Sequence, residues 1–325
     1  MFRAHNRLLL VCLGAVTLTS ILFSRSPGRA DNSHLDTQGE ILQKFIDVSA
    51  LPMPDRIRLM QSLSPNDRSF LWRVHLALYI TQHPGLTKDQ QNVVLDTFAF
   101  ATPQLFTPTS QGDPGWRTKV LEPLDQLRRR ALQLFDKEEA AEIFAMVGPR
   151  QQEADALRKY LSLSELRRAD RKATFARMSA EDKANLWHVH LALNLAQHSE
   201  WNEQQRSVVL EAIAMVTAKL YEIPRGAQWT ALVDEPARVL MQKALLAFSK
   251  KEAVAIFVEL GGSEPSAHHK AKPAASPSPC DCSHESDWCV SYDCYSNNCK
   301  STVMGCGTFG LYTCDGLCYS PPPLM

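Results

Sequence analysis

The chain has 325 residues, with 35 basic and 35 acidic side chains and a formal net charge of zero. A nucleic-acid binder shows a basic face or tail, and no basic run occurs here. Length alone predicts more than one domain, and the cysteines mark the division: eight of the nine lie between Cys280 and Cys318.

The N-terminus reads as an export signal. Arg3 and Arg7 give a positive start, and Leu8–Phe23 is a 16-residue apolar run with small and hydroxyl residues mixed in. Gly28-Arg29-Ala30 then offers small residues for cleavage after Ala30. The run is shorter than the roughly 20 residues that a spanning helix needs. Cys12 follows Leu9-Leu10-Val11, where a lipoprotein signal wants a small residue, and it has no catalytic partner. The segment 1–30 is therefore expected to be a signal peptide, and the remainder to be soluble and exported.

An internal repeat follows. Ser64-Pro65-Asn66-Asp67 through Leu71-Trp72-Arg73-Val74-His75 returns 115 residues later as Ser179-Ala180-Glu181-Asp182 through Leu186-Trp187-His188-Val189-His190. Gln82-His83 matches Gln197-His198, and Val93-Val94-Leu95 matches Val208-Val209-Leu210. After two residues are lost from a loop, Trp116 matches Trp229 and Glu122-Pro123 matches Glu235-Pro236. Phe135, Phe144 and Gly148 then match Phe248, Phe257 and Gly261.

Each copy has the pattern of a helical unit. Ser64 and Ser179 sit as N-caps with Asp67 and Asp182 three positions on, close to a capping box. Leu71, Val74 and Leu78, like Leu186, Val189 and Leu193, recur at helical spacing. Thr87 and Asn202 read as caps of the next helix. A third helix is predicted over Leu124–Phe135 and again over Ala237–Phe248. Gly148 and Gly261 fall where helix C-caps belong. There is no sustained strand alternation. The predicted body is all-α, two tandem homologous units over 31–157 (core about 42–148) and 158–262.

The body carries few candidates for chemistry. His75 and His190 follow Trp72 and Trp187 by three residues, and His83 and His198 come two turns later. Four histidines in register could hold a metal, but equally they could pack beside Trp or bond a carbonyl; no His-Glu-x-x-His pattern supports the metal. Glu122 and Glu235 precede proline, which reads as the first turn of a helix rather than an acid–base pair. No Gly-x-Ser-x-Gly elbow and no phosphate loop occurs. The expectation is a non-enzyme without metal or cofactor.

Residues 263–279 hold four prolines among Ala, Ser, Lys and His, including His268-His269, a composition that predicts an extended, protease-accessible linker. From 280 to 325 comes the cysteine module: Cys280, Cys282, Cys289, Cys294, Cys299, Cys306, Cys314 and Cys318. Their intervals of 1, 6, 4, 4, 6, 7 and 3 residues contain no Cys-x-x-Cys pair of the zinc type. In an exported chain they predict four disulfides, and about a hundred pairings are open. One lysine stands against five carboxylates, a net −4, although Trp288, Tyr292, Tyr295, Phe309, Tyr312 and Tyr319 make the module rich in aromatics.

Cys280-Asp281-Cys282-Ser283, Ser286-Asp287-Trp288-Cys289 and Gly305-Cys306-Gly307-Thr308-Phe309, with Tyr312, Cys314 and Cys318, resemble the fulvocin C family of small cysteine-rich bacteriocins. The likeness spans about one seventh of the chain. The helical body is also similar to the N-terminal regions of longer bacterial proteins related to that family. The resemblance implies an antibacterial peptide made on a larger secreted precursor, with the helical region as carrier, and brings no catalytic residues. Its implied partners are an envelope component or receptor of a target bacterium and a processing protease at the linker. Net acidity argues for a specific receptor over attraction to anionic lipid. The alternative is an extracellular binding or adhesion protein that is never processed and uses the module as a structural domain.

Overall fold

A computed structural model describes residues 33–107, 115–145, 149–261, 280–286, 289, 293–295 and 299–319. The predicted signal peptide, Cys12, the linker 263–279 and Gly148 lie outside the described residues. Two compact units divide the chain: 1–37, described only from Ser33, and 38–325. The second contains both the helical body and the cysteine module.

The body is helical throughout its described length. Its first half comprises α1 (Ser33–Val48), α2 (Met53–Ser62), α3 (Pro65–Gln82), α4 (Lys88–Phe100), a 3-10 turn (Pro103–Phe106), a π turn (Arg117–Leu121), α5 (Glu122–Leu134) and α6 (Lys137–Ile143). The second half follows the same order: α7 (Gln151–Ser164), α8 (Arg168–Ala176), α9 (Ala180–Gln197), α10 (Glu203–Met215), a 3-10 turn (Ala218–Tyr221), α11 (Ala227–Trp229), a π turn (Thr230–Asp234), α12 (Glu235–Ala247) and α13 (Lys250–Phe257). Both α3 and α9 have 18 residues, and α4 and α10 have 13. α7 runs through the point between 157 and 158 at which the sequence divides the units.

The predicted caps are in place. The hydroxyls of Ser64 and Ser179 accept from the amides of Asp67 and Asp182 at 3.1 and 3.0 Å. The reciprocal capping boxes form one helix later, where Thr87 pairs with Gln90 and Asn202 with Gln205. Both are longer amides that reach back to the cap amide, which Asp67 and Asp182 are too short to do.

Glu122 and Glu235 open α5 and α12 as expected, but not after a loop. Leu121 and Asp234 already have helical backbone, and each Glu-Pro step follows a π turn inside a continuous helical run. A mid-helix proline lacks an N–H and crowds the carbonyl four residues back; the wider π turn relieves both, with the Glu122 amide donating to the Arg117 carbonyl. One expectation is corrected: Gly261 is not the residue after a helix end, since α13 stops at Phe257. Its φ of 88° reflects close approach to α8: a Cβ there would lie 2.7 Å from Arg171 Nη1.

The halves meet along α3 and α9, the most extensive helix pair. Both helices are apolar nearly all round, as expected for elements buried on several sides: α9 also packs on α7 and α10, and α3 on α4. Arg73 crosses the seam, donating from Nε to the Ala196 carbonyl at 2.8 Å. Leu191 on α9 has no exposed surface, whereas Leu246 on α12 is 80% exposed. Leu191→Ala should lower unfolding free energy by about 2–5 kcal/mol. Leu246→Ala should change it by less than about 0.5 kcal/mol. Denaturant unfolding of the two variants beside the parent chain tests the comparison.

Candidate functional site: the seated cysteine module

The eight module cysteines form four pairs at disulfide distance: Cys280–Cys299, Cys282–Cys294, Cys289–Cys318 and Cys306–Cys314. They staple two short antiparallel ribbons. β1 (Asp293–Tyr295) pairs with β4 (Leu317–Tyr319), and β2 (Thr302–Cys306) pairs with β3 (Tyr312–Cys314) across an irregular register. The Cys280, Cys306 and Cys314 side chains form the module's own buried cluster, with Cys299 against it. Such a core is mostly sulfur, and each bridge typically contributes about 2–4 kcal/mol, so cross-links rather than apolar burial hold the module.

Its large apolar side chains go elsewhere. Between Cys306 and Cys314 the chain makes a tight loop in which Phe309 adopts φ 52°, ψ 21°. That region is unfavourable for a bulky residue. The backbone thereby turns the Phe309 ring out of the module, and Gly310 lets the loop lie on α8, where a Cβ would come within 2.9 Å of Phe175 Cε1. Phe309, Leu311 and Tyr312 are at most 1% exposed, and all three belong to the hydrophobic core of the helical body.

The receiving groove is built by the second half. Phe309 stands edge-on to Trp187 of α9, with ring centroids 5.3 Å apart, and to Phe257 of α13 at 6.5 Å. Tyr221 donates its hydroxyl to the Phe309 carbonyl at 3.3 Å. Tyr312 packs edge-on to Trp229 at 5.5 Å and donates its hydroxyl to Asp234 Oδ1 at 2.9 Å. Arg225 lies over the Trp229 ring at 3.7 Å, donates to the Leu311 carbonyl at 3.0 Å and pairs with Glu285 at 2.9 Å. On the other flank, Lys172 Nζ donates to the Asp281 carbonyl at 2.6 Å and lies 3.2 Å from Cys306 Sγ.

Magnitudes rank these contacts. Each fully buried Phe or Leu contributes about 1.5–3 kcal/mol, and the Tyr312–Asp234 bond, with its charged acceptor, about 1.5–3 kcal/mol. The Arg225–Glu285 pair is largely exposed and such pairs contribute at most about 1 kcal/mol. The aromatic insertion therefore decides the docking, and the charges orient it: a module of net −4 meets Lys172, Lys183 and Arg225.

Two ionisable groups sit at the seam. Burial alone would raise the Asp234 carboxyl. Hydrogen bonds from Arg238 and Tyr312, with the Arg225 charge, outweigh it and hold the carboxyl below its usual value. Lys172 is pushed down to about 7, first by burial and then by Arg168 and Arg171, with Asp281 and Glu259 opposing.

The repeated histidines do not converge. His75 Nε2 bonds the Glu142 carbonyl at 2.9 Å, and His83 Nδ1 bonds the Tyr79 carbonyl while its ring stacks on Tyr79. His190 bonds the Ala255 carbonyl through Nε2 and Tyr160 through Nδ1; burial pushes it down to about 4, so it stays neutral. His198 pairs with Glu200 and stacks on Trp201. Among the described residues, no group of metal-ligating atoms includes any of the four. His268 and His269 lie outside the described residues.

Sequence reasoning singled out the module and not the groove. The signal lay in where the two aligned segments differ. In the sequence alignment of the two segments, Asp234 falls opposite Leu121 and Lys172 opposite Ile57, a charged residue against an apolar one at each position. Of the module's aromatics, Phe309 and Tyr312 are covered, and Tyr295 is exposed.

Since Lys172 has a usual value of 10.5 and about 7 when the module is seated, the seated state binds fewer protons between those values. Stability from this group therefore rises with pH across that window. The depressed Asp234 carboxyl acts in the same sense at acid pH, its contribution being lost as pH falls through its lowered value. Lys172→Met should abolish the rise above about pH 7, measured as thermal midpoints of the oxidised full chain against pH.

No protein-family model, curated protein or solved structure matches this chain, so its function has to be argued from the seated module itself.

Proposed function

We propose that the chain is an exported, bacteriocin-like antibacterial protein. The eight-cysteine module is its active part, and the helical region, two copies of one unit, is its carrier. The observation that carries this reading is how the module is held. Its apolar face is inserted in the second helical half, while all eight of its cysteines are used in bridges within the module. A single cut in 263–279 would leave it attached by non-covalent contacts alone.

The bridges suit an oxidising compartment, no described helix is long and apolar enough to cross a membrane, and the N-terminal sequence supports secretion. The likeness to the fulvocin C family gives the module its antibacterial direction. Its partners would be a protease acting at the linker and an envelope component or receptor of the target bacterium. No catalytic residue, metal or cofactor enters this scheme.

One observation favours a second reading. Phe309, Leu311 and Tyr312 belong to the body's core, as they would in an unprocessed extracellular binding or adhesion protein whose module is a permanent structural part.

Intact mass measurement of the protein from native culture medium, without reductant, separates the two. The expected result is a species of about 46 residues beginning near Cys280, lighter than its reduced form by the eight hydrogens of four disulfides, that inhibits growth of related bacteria. A single species from about residue 31 to Met325 would sink the processed-precursor reading and leave the binding protein in front.

A further inference from the structure

A small module held by cross-links does not use Phe309 and Leu311 in its own sulfur-rich cluster, whereas Tyr312 also packs against Gly307 within it. In the seated state these residues complete another element's core. Released, the module would present them together on one side, and contiguous apolar faces on small soluble proteins mark interaction surfaces. The loop also has the preorganisation of a recognition element: Cys306–Cys314 closes it, and Phe309 is held at φ 52° with its ring pointing outward.

We infer that the face of the module occupied by Phe309, Leu311 and Tyr312 is the surface with which it binds its target, and that the helical body excludes the target by occupying that face. The inference rests on the antibacterial reading and adds the site and the mode of restraint. The groove indicates the chemistry of the partner. The partner would be a protein of the target envelope with an aromatic-lined pocket for Phe309, a carboxylate to accept from the Tyr312 hydroxyl as Asp234 does, and a basic rim to meet the acidic module as Arg225 and Lys172 do. An anionic lipid surface is disfavoured by the net −4 of the module.

A contrast between the halves indicates that the groove is shaped for an incoming ring. In the first half Phe106 stands edge-on to Trp72 at 6.1 Å, beneath Arg68, so that site is filled by its own chain segment. In the second half the matching Tyr221 pairs with Phe175 instead, and the place beside Trp187 is taken by Phe309. Trp72 donates its indole N–H to the Ile143 carbonyl, whereas the buried Trp187 N–H has no partner among the described residues.

The test uses the full oxidised chain with a site-specific protease sequence set into 263–279, assayed before and after cutting for co-elution of module with body and for growth inhibition. Arg225→Ala alters only the body, and Phe309→Ala only the module. The uncut chain should be inactive and the cut parent weakly active, with its module largely retained. Cut Arg225→Ala should release the module and inhibit at a roughly tenfold lower dose. Cut Phe309→Ala should release it and fail to inhibit. Tyr312→Phe, which keeps the ring, should fall between parent and Phe309→Ala, and disulfide mapping that recovers the four parental pairs excludes mispairing of either module variant. Equal potency of Arg225→Ala and parent, or a fully active Phe309→Ala module, would overturn the inference while leaving antibacterial activity standing. Leakage of anionic vesicles at the inhibitory dose by parent and Phe309→Ala alike would overturn it in favour of lipid. Inhibition by none of the cut chains would remove the antibacterial reading, and the inference with it.

Discussion

The Phe309 ring, set between Trp187 and Phe257, is the contact on which the rest of the arrangement depends. It projects from a module whose own interior is mostly cystine sulfur, so its burial has to be supplied by the helical body. Tyr312, Leu311 and the flanking bonds from Arg225, Lys172 and Tyr221 are placed by that insertion. Aromatic edge-to-face pairs add about 0.5–1.5 kcal/mol beyond area burial, which favours one seating over others of similar area.

Two stabilising strategies thus meet in one compact unit. The helical body relies on apolar burial along the α3–α9 seam, helped by side-chain caps at its helix starts. The module relies on covalent closure. The body's second half is completed by Phe309, Leu311 and Tyr312 of the module, so the contact between them carries the apolar surface that the module leaves uncovered. Once the connecting chain is cut, only these non-covalent contacts hold the two together, and a competing partner or a change of pH can shift them.

Much of the helical framework was legible in the sequence because its causes are local. A serine, threonine or asparagine three residues before a polar side chain, followed by apolar positions at spacing three and four, marks Ser64, Thr87, Ser179 and Asn202 directly as caps. The π turns before Glu122 and Glu235 were not legible, since proline reads first as an N1 residue and nothing local in the sequence marks a widened turn. The cysteine pairing was closed to sequence reasoning because spacing does not choose among the alternatives. The seating of the module depends on contacts such as Lys172 to Asp281 and Tyr312 to Asp234, which join residues far apart in the chain. No periodicity reports such contacts. The nearest trace was Asp234 and Lys172 falling opposite Leu121 and Ile57 in the aligned segments.

The different ways in which Trp72 and Trp187 are covered set an order of assembly. Phe106 follows Trp72 by 34 residues, whereas Phe309 follows Trp187 by 122. Closing the longer span costs only about 1 kcal/mol more in chain entropy, but it imposes a sequence of events. The first half can complete its aromatic site as soon as its own chain is available. The second half has to wait until the cysteine loop has been delivered and shaped, so a chain with its cysteines still reduced would hold one finished half beside one unfinished half.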